Sequence, residues 1–209
     1  MPASTGSSWV RARYVEKSAS KRAVLVAAAT ILAASSALAL DAGKVAPCLV
    51  CHGENGVSQN EGVPSLAAQP DQYIQWQLVF FRLDGRKSEI MGPLVKDISN
   101  DDIKAFGAYF ATLAPPPAAS PPDPNPELSG AGKVLAEEGH CNSCHTRNFA
   151  GQQATARLAG QREEVLRKAL EDYRSGARRG TGIAAMPEAV YGLTDDDFAK
   201  LAHYLSRLP

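Results

Sequence analysis

The sequence predicts an all-α protein that contains two copies of one small unit. First, apolar residues recur at steps of three and four, and no alternating strand pattern is present. Second, short motifs of the first half return in the second half in the same order and spacing. Third, a proline-dense stretch separates the copies, and such a stretch disfavours helix and central strand. We therefore predict one domain over 40–114, a Pro-rich linker over 115–127 and a second domain over 128–209.

Residues 1–39 have the pattern of a signal peptide. Basic residues precede the apolar stretch Ala23–Leu38, which ends at the A-x-A cleavage pattern 37–39. We expect cleavage after Ala39 and a periplasmic protein with at most peripheral membrane association; an uncleaved N-terminal anchor is the alternative. Residues 40–209 hold 17 basic and 21 acidic residues, a net charge of −4, which argues against a nucleic-acid partner.

The predicted helices form pairs at equivalent positions of the two copies. Amphipathic periodicity indicates the pair Pro70–Leu83 and Arg162–Arg174. Ser99 and Thr194 are each followed three residues later by aspartate, the spacing of an N-cap, and predict the pair 99–113 and 194–208. A helix is also expected over Ser129–Glu138, whereas its counterpart within 40–46 should be short or absent.

The motif Cys-x-x-Cys-His occurs once in each copy, and the chain has no other cysteine. One helical turn places two thiols where they can add across the vinyl groups of a haem, and the following histidine can then bind the iron. The motifs predict two covalently bound haem c groups. The attachment residues would be Cys48, Cys51, Cys141 and Cys144, and the axial histidines His52 and His145.

Three other interpretations of the cysteines are open. A four-cysteine zinc site would normally bring its two halves closer in sequence than these motifs are. Thioredoxin-like dithiols would require a βαβ context, which the sequence lacks. Two local disulfides would leave the histidines unexplained.

Two methionines are candidates for the second axial ligand of each iron. After residue 39 the chain contains only Met91 and Met186, and each lies about 40 residues after its motif and eight residues before a predicted cap. A lone methionine is usually a packing residue. Two in equivalent places favour thioether ligation, with apolar pockets expected between His52 and Met91 and between His145 and Met186.

Two further sets of residues are expected near the haem groups. A haem-ligating imidazole usually donates its other N–H to a carbonyl, and Pro64 or, in the second copy, Ala156 is placed to accept it. Four arginines recur in register and are either solvated helix ends or partners of haem propionates. They are Arg82, Arg86, Arg174 and Arg178.

The sequence resembles the dihaem cytochrome c4 family, which is built from two class I cytochrome c domains. The resemblance rests on CLVCHGENG and CNSCH, PSLAAQ and RLAGQ, the paired helices and the two methionines, and spans nearly all of residues 40–209. It implies His/Met ligation at both haems and two domains packed face to face. It also implies electron transfer from a quinol-oxidising bc complex towards a terminal oxidase. The long linker leaves open how tightly the domains pack.

The predicted function is therefore electron transfer between redox proteins, and not catalysis. A dedicated cytochrome subunit of a periplasmic oxidoreductase, such as a flavoprotein sulfide dehydrogenase, is the alternative. The first domain has a net charge of −3 and the second of +1. This asymmetry suggests different partners at the two ends, with Arg174, Arg178 and Arg179 forming a docking surface on the second domain. A solvated surface that binds no partner is the alternative.

Overall fold

The computed structural model of the chain describes residues 42–178 and 185–209. Residues Leu40–Pro209 form one compact unit, and the predicted signal peptide, 1–39, lies outside the described residues. The first half contains α1 (Ala42–His52), α2 (Asp71–Arg82), α3 (Met91–Val95) and α4 (Asn100–Thr112). The second half contains α5 (Pro126–Glu138), α6 (Cys141–His145), α7 (Glu163–Ser175), α8 (Ala185–Val190) and α9 (Asp195–Ser206).

The all-α fold class is confirmed. The described ranges contain no strand, and their β-type pairing is limited to isolated antiparallel bridges. Helices α2, α4, α7 and α9 agree with the predicted ranges to within about two residues. The predicted N-caps are also present, because the hydroxyls of Ser99 and Thr194 accept hydrogen bonds from the amides of Asp102 and Asp197.

Two helices differ in extent from the sequence prediction. Helix α5 begins at Pro126, inside the predicted linker, because proline is tolerated in the first turn and the Asn125 side chain accepts a hydrogen bond from the Leu128 amide. The short first helix exists as α1, which continues through Pro47 and contains the first cysteine motif. In the second half a turn at His140 separates α5 from α6, which carries the second motif.

Each half has its own hydrophobic core. In the first half α2 packs against α4, around Val45, Ile74, Phe106 and Phe110. In the second half α5 and α7 pack against α9, around a cluster that includes Ala136, Phe149, Leu166, Leu201 and Leu205. A glycine permits the closest approach of α5 to α9, since a Cβ on Gly132 would lie 2.1 Å from the carbonyl oxygen of Lys200. The long helices thus hold the loops that carry the motifs.

The two halves meet through a reciprocal pair of buried glutamines. The Gln69 side chain donates to the carbonyl of Arg157 (2.9 Å) and accepts from its amide (3.0 Å). The Gln161 side chain makes the same two contacts with Ser65, at 2.8 and 2.9 Å. Gln69 and Gln161 occupy equivalent positions in PSLAAQ and ARLAGQ, so the four bonds follow a pseudo-twofold arrangement.

No helix within the described residues is long and apolar enough to cross a membrane.

Candidate functional site

A large cavity lies between the two halves of the described chain. Its volume of about 1330 Å³ exceeds the ~300–1,000 Å³ typical of a site for one small molecule. The cavity is lined mainly by apolar side chains. All eight predicted site residues line it: Cys48, Cys51, His52, Met91, Cys141, Cys144, His145 and Met186. The sequence predicted two separate pockets. They are continuous here because the halves face each other with their motif-bearing sides.

The cysteines are positioned by helical turns. Both motifs are helical, in the last turn of α1 and throughout α6, so each pair of thiols is held one turn apart. None of the four cysteines forms a disulfide. Cys48 and Cys141 are half-buried, and burial raises the pKa of both thiols, while Cys51 and Cys144 are exposed. Each motif therefore presents an inner and an outer thiol.

The motif histidines are held in one orientation by backbone carbonyls. Nδ1 of His52 donates to the carbonyl of Pro64, and Nδ1 of His145 donates to that of Ala156, both at 2.8 Å. A carbonyl can only accept, so each proton is on Nδ1 and each Nε2 keeps its lone pair. Burial lowers the pKa of both imidazoles, although the carbonyl contact opposes it. Both rings are thus prepared as neutral donors to a metal.

The predicted carbonyl partners are confirmed in both halves. The replacement of proline by alanine at position 156 is tolerated because the contact uses only the backbone. A tight turn returns the chain to the first histidine: Gly53 has a φ of +89°, and a Cβ there would lie 2.1 Å from the carbonyl oxygen of Val57. This position therefore requires glycine.

The two methionines occupy equivalent places at the opening turns of short helices. Met91 is the first residue of α3, and its amide donates to the Ser88 hydroxyl at 3.0 Å. Met186 is the second residue of α8 and is followed by Pro187. Both side chains are half-buried and line the cavity with the histidines. The structure therefore brings the four predicted axial residues to one cavity, and their ligation stays a prediction.

The four recurring arginines divide into two kinds. Arg82 donates to the carbonyl of Ile98 at 2.8 Å, and Arg174 donates to that of Leu193 at 3.1 Å, so both brace the loops before α4 and α9. Arg86 and Arg178 instead line the cavity. Equal spacing in the sequence thus leads to two different environments.

The predicted docking surface of arginines is wrong for Arg178. Arg178 is only 7% exposed and lies in the cavity wall between the halves. Arg174 is already paired with Asp195 and stacks on Phe198 at 4.5 Å. Arg179 lies outside the described residues. Charge repetition alone could not separate buried arginines from exposed ones.

The two remaining histidines have structural roles. His140 is exposed and has a φ of +50° in the turn before α6. His203 is buried, with Nδ1 3.0 Å from the Glu163 carboxylate and Nε2 3.1 Å from that of Asp123. His203, on α9, therefore connects the linker and α7 to α9.

Two haem c groups fit this cavity. Each half supplies thiols for covalent attachment, a neutral imidazole nitrogen and an apolar wall, and the guanidiniums of Arg86 and Arg178 add positive charge to the cavity wall. An all-α protein with such a site is a dihaem c-type cytochrome.

The model of the cytochrome c family matches residues 129–209. The chain is 30% identical to cytochrome c4 of Azotobacter vinelandii over 185 residues, covering 79% of this chain and 86% of that relative. It belongs to the cytochrome c4 family.

A solved structure and a second relative agree with this assignment. The crystal structure of reduced recombinant cytochrome c4 from Pseudomonas stutzeri superposes with a TM-score of 0.72 and 28% identity, covering 80% of this chain and 96% of that chain. A thiosulfate dehydrogenase electron acceptor from Thiomonas intermedia is 27% identical, with 90% of each chain covered. The cofactor prediction of two covalent haem c groups is confirmed, and the chain is a dihaem electron carrier.

Proposed function

We propose that this chain is an exported, periplasmic electron carrier, and not an enzyme, with two six-coordinate irons. His52 and Met91 bind one iron, and His145 and Met186 bind the other. The supporting observation is that these four side chains line one cavity from equivalent positions, two on the motif helices and two at the opening turns of α3 and α8. Two protein ligands on each iron leave no open position for a substrate. We retain the division into domains 40–114 and 128–209.

The residues of the chain would contribute binding, orientation and exclusion of water. A bound haem supplies an iron that cycles between ferric and ferrous states by one electron. The motif thiols hold each macrocycle covalently, and the carbonyls of Pro64 and Ala156 fix the imidazole rings. Apolar side chains such as Ile74, Phe80 and Leu166 cover the cavity and keep water from the iron, which favours the less charged ferrous state.

Two kinds of redox partner are candidates. The family resemblance favours a carrier between a quinol-oxidising bc complex or a dehydrogenase and a terminal oxidase or reductase. The Thiomonas intermedia relative, a thiosulfate dehydrogenase electron acceptor, favours a second role: a dedicated acceptor for a dehydrogenase of sulfur compounds. Stopped-flow reduction by a purified thiosulfate dehydrogenase and by a bc complex distinguishes them. Faster reduction by the bc complex supports the first role, and faster reduction by the dehydrogenase supports the second.

The axial assignment is tested with Met91→Ala and Met186→Ala. Each variant should lose about half of the charge-transfer absorbance that marks thioether ligation of ferric haem, and one of its two midpoint potentials should fall, because methionine ligation raises the potential. Leu94→Ala is the matched control, since Leu94 lies on the same short helix as Met91 and lines the cavity without a thioether. An unchanged spectrum in either methionine variant would mean that a different residue is the axial ligand of that iron.

A further inference from the structure

The first half exposes more large apolar side chains than the second. Within residues 42–178 and 185–209, five large apolar residues of the first half are exposed, against two of the second. Four of the five lie on α2 and α3 or directly beside them, and α3 packs against α2. We call these four residues the apolar face: Trp76, Leu83, Ile90 and Leu94.

The apolar face lies at the mouth of the cavity. Trp76 and Leu83 are two helical turns apart along α2. Ile90 and Leu94 lie on either side of Met91, at the start of α3. Both of them line the cavity and are still 68% and 61% exposed. A protein seated on this face would therefore lie beside Met91, the proposed axial ligand of the first iron.

The second half lacks such a face, although the equivalent positions are exposed there too. The repeat register places Lys168, Ser175, Ala185 and Ala189 opposite the four members of the apolar face, and all four are exposed. Both halves bind a haem, so a residue that is needed only to cover the haem should be large and apolar in both. The side chains of the apolar face therefore serve a contact that the second half does not make.

The charge of the first half limits what can cover the apolar face. Residues 40–114 contain six basic and nine acidic residues, a net charge of −3. Beside the face, two lysine–aspartate pairs cancel each other, at 3.9 and 3.8 Å, and Glu89 is exposed. An anionic membrane would be repelled, and a second copy bound through the same face would bring two acidic surfaces together. A protein with an apolar centre and a basic rim is complementary.

We propose that the apolar face is the docking surface for a redox protein whose own contact site is apolar with a basic rim. The inference rests on the proposed function, because the partner exchanges electrons with the haem of the first half. Four apolar side chains suit the small interfaces of transient electron-transfer complexes, which bury less than about 1,200 Å². Salt screens charges but not apolar contact, so docking persists at ionic strengths that abolish long-range steering.

Stopped-flow electron exchange with mitochondrial cytochrome c, a small basic redox protein, tests the proposal. One electron passes from the ferrous iron of this probe to a ferric iron of the chain, and no bond forms or breaks. The double variant Ile90→Ala/Leu94→Ala gives the first half the alanines of the second. Its second-order rate constant should be lower by about fivefold or more at both low and high ionic strength, because truncating central apolar residues weakens an interface.

Two control variants separate the apolar contact from general effects. Val134→Ala should change the rate constant by less than about twofold, since Val134 is an exposed apolar residue of α5 outside the cavity lining. Glu89→Gln should slow the exchange at low ionic strength only, because it removes a charge that attracts the basic probe. Faster exchange in Glu89→Gln would contradict the basic rim.

Reduction by ascorbate separates docking from the state of the haems, because it requires no protein interface. Ascorbate should reduce the parent protein and the double variant at the same rate, and a parent protein that it cannot reduce would contradict the proposed function itself. The docking proposal would be overturned by a parent protein that does not exchange electrons with the probe, by a double variant as fast as the parent, or by an equal loss in Val134→Ala or with ascorbate.

The other possible occupants are tested with the same double variant. Sedimentation equilibrium and co-sedimentation with anionic phosphatidylglycerol vesicles should show no difference between the double variant and the parent protein. A dimer that the double variant loses would make a second copy the occupant, and vesicle binding that it loses would make a membrane the occupant. Either result would overturn the proposal.

Discussion

Replacing Gln69 by alanine should loosen the contact between the two halves. The substitution removes one hydrogen bond to the amide and one to the carbonyl of Arg157, both of which are buried. Each buried backbone group left without a partner costs about 1–3 kcal/mol. Allowing for water that enters the gap, the free energy of unfolding should fall by roughly 2–4 kcal/mol.

Denaturant unfolding of the haem-loaded protein, followed by circular dichroism, measures this change. Gln72→Ala is the matched control, because Gln72 is an exposed residue of α2, and it should shift the free energy of unfolding by no more than about 0.5 kcal/mol. Gln161→Ala should resemble Gln69→Ala, since Gln161 makes the same contacts with Ser65. The double variant should lose less than the sum of the two, because the glutamines serve one interface.

A Gln69→Ala variant as stable as Gln72→Ala would show that the glutamine hydrogen bonds do not stabilise the interface. Strict additivity of Gln69→Ala and Gln161→Ala would also contradict the reasoning about the interface, since it would mean that the two sets of bonds act independently.

Two further substitutions test the packing of the second half and the attachment of the linker. Gly132→Ala should destabilise the protein by about 3 kcal/mol or more in thermal unfolding, because the new Cβ meets the backbone of Lys200. Gly130→Ala is the control and should be neutral or stabilising, because Gly130 lies on the same helix with nothing within 4 Å of its Cβ. Equal effects of the two substitutions would contradict the close approach of α5 to α9. The pKa of Asp123 is lowered to about 2, chiefly by the hydrogen bond from Ser129. Its contribution to stability should therefore be complete above its unfolded-state pKa near ~4 and be lost as the pH falls through about 2. Acid unfolding of Asp123→Asn should show a smaller decline over that interval than the parent protein, and parallel curves would be inconsistent with this role.

The elements of the fold that depend on local chemistry could be predicted from the sequence. Hydroxyl caps followed by aspartate located the starts of α4 and α9, and apolar periodicity located α2 and α7. The repeat register also indicated that Pro64 and Ala156 would face their histidines through backbone carbonyls. Each of these features depends on residues that lie close together in the sequence.

The contacts between the halves could not be predicted in the same way. Gln69 and Gln161 stand in equivalent motifs, which was a signal of a shared role, but a glutamine side chain has no local preference for a partner about 90 residues away. The arginines are similar. Arg82 lies at the end of α2 and Arg86 in the turn beyond it, so only the path of that turn determines which one reaches the cavity.

The continuity of the cavity has the same origin. Each half alone predicts a pocket between its histidine and its methionine. The two pockets join because the reciprocal glutamines bring the motif-bearing faces together, and the proline-dense linker, which gave no indication of tight packing, is attached to α9 through Asp123 and His203.

Electron exchange between the two haems tests the account most directly. The halves share one cavity and four buried hydrogen bonds, so an electron delivered to one haem should reach the other within the same molecule. Rapid injection of less than one electron per chain, followed by absorbance, should show a first-order redistribution whose rate is independent of protein concentration. A redistribution rate that rises in proportion to protein concentration would mean that electrons pass only between molecules, and would contradict a single carrier with two coupled haems.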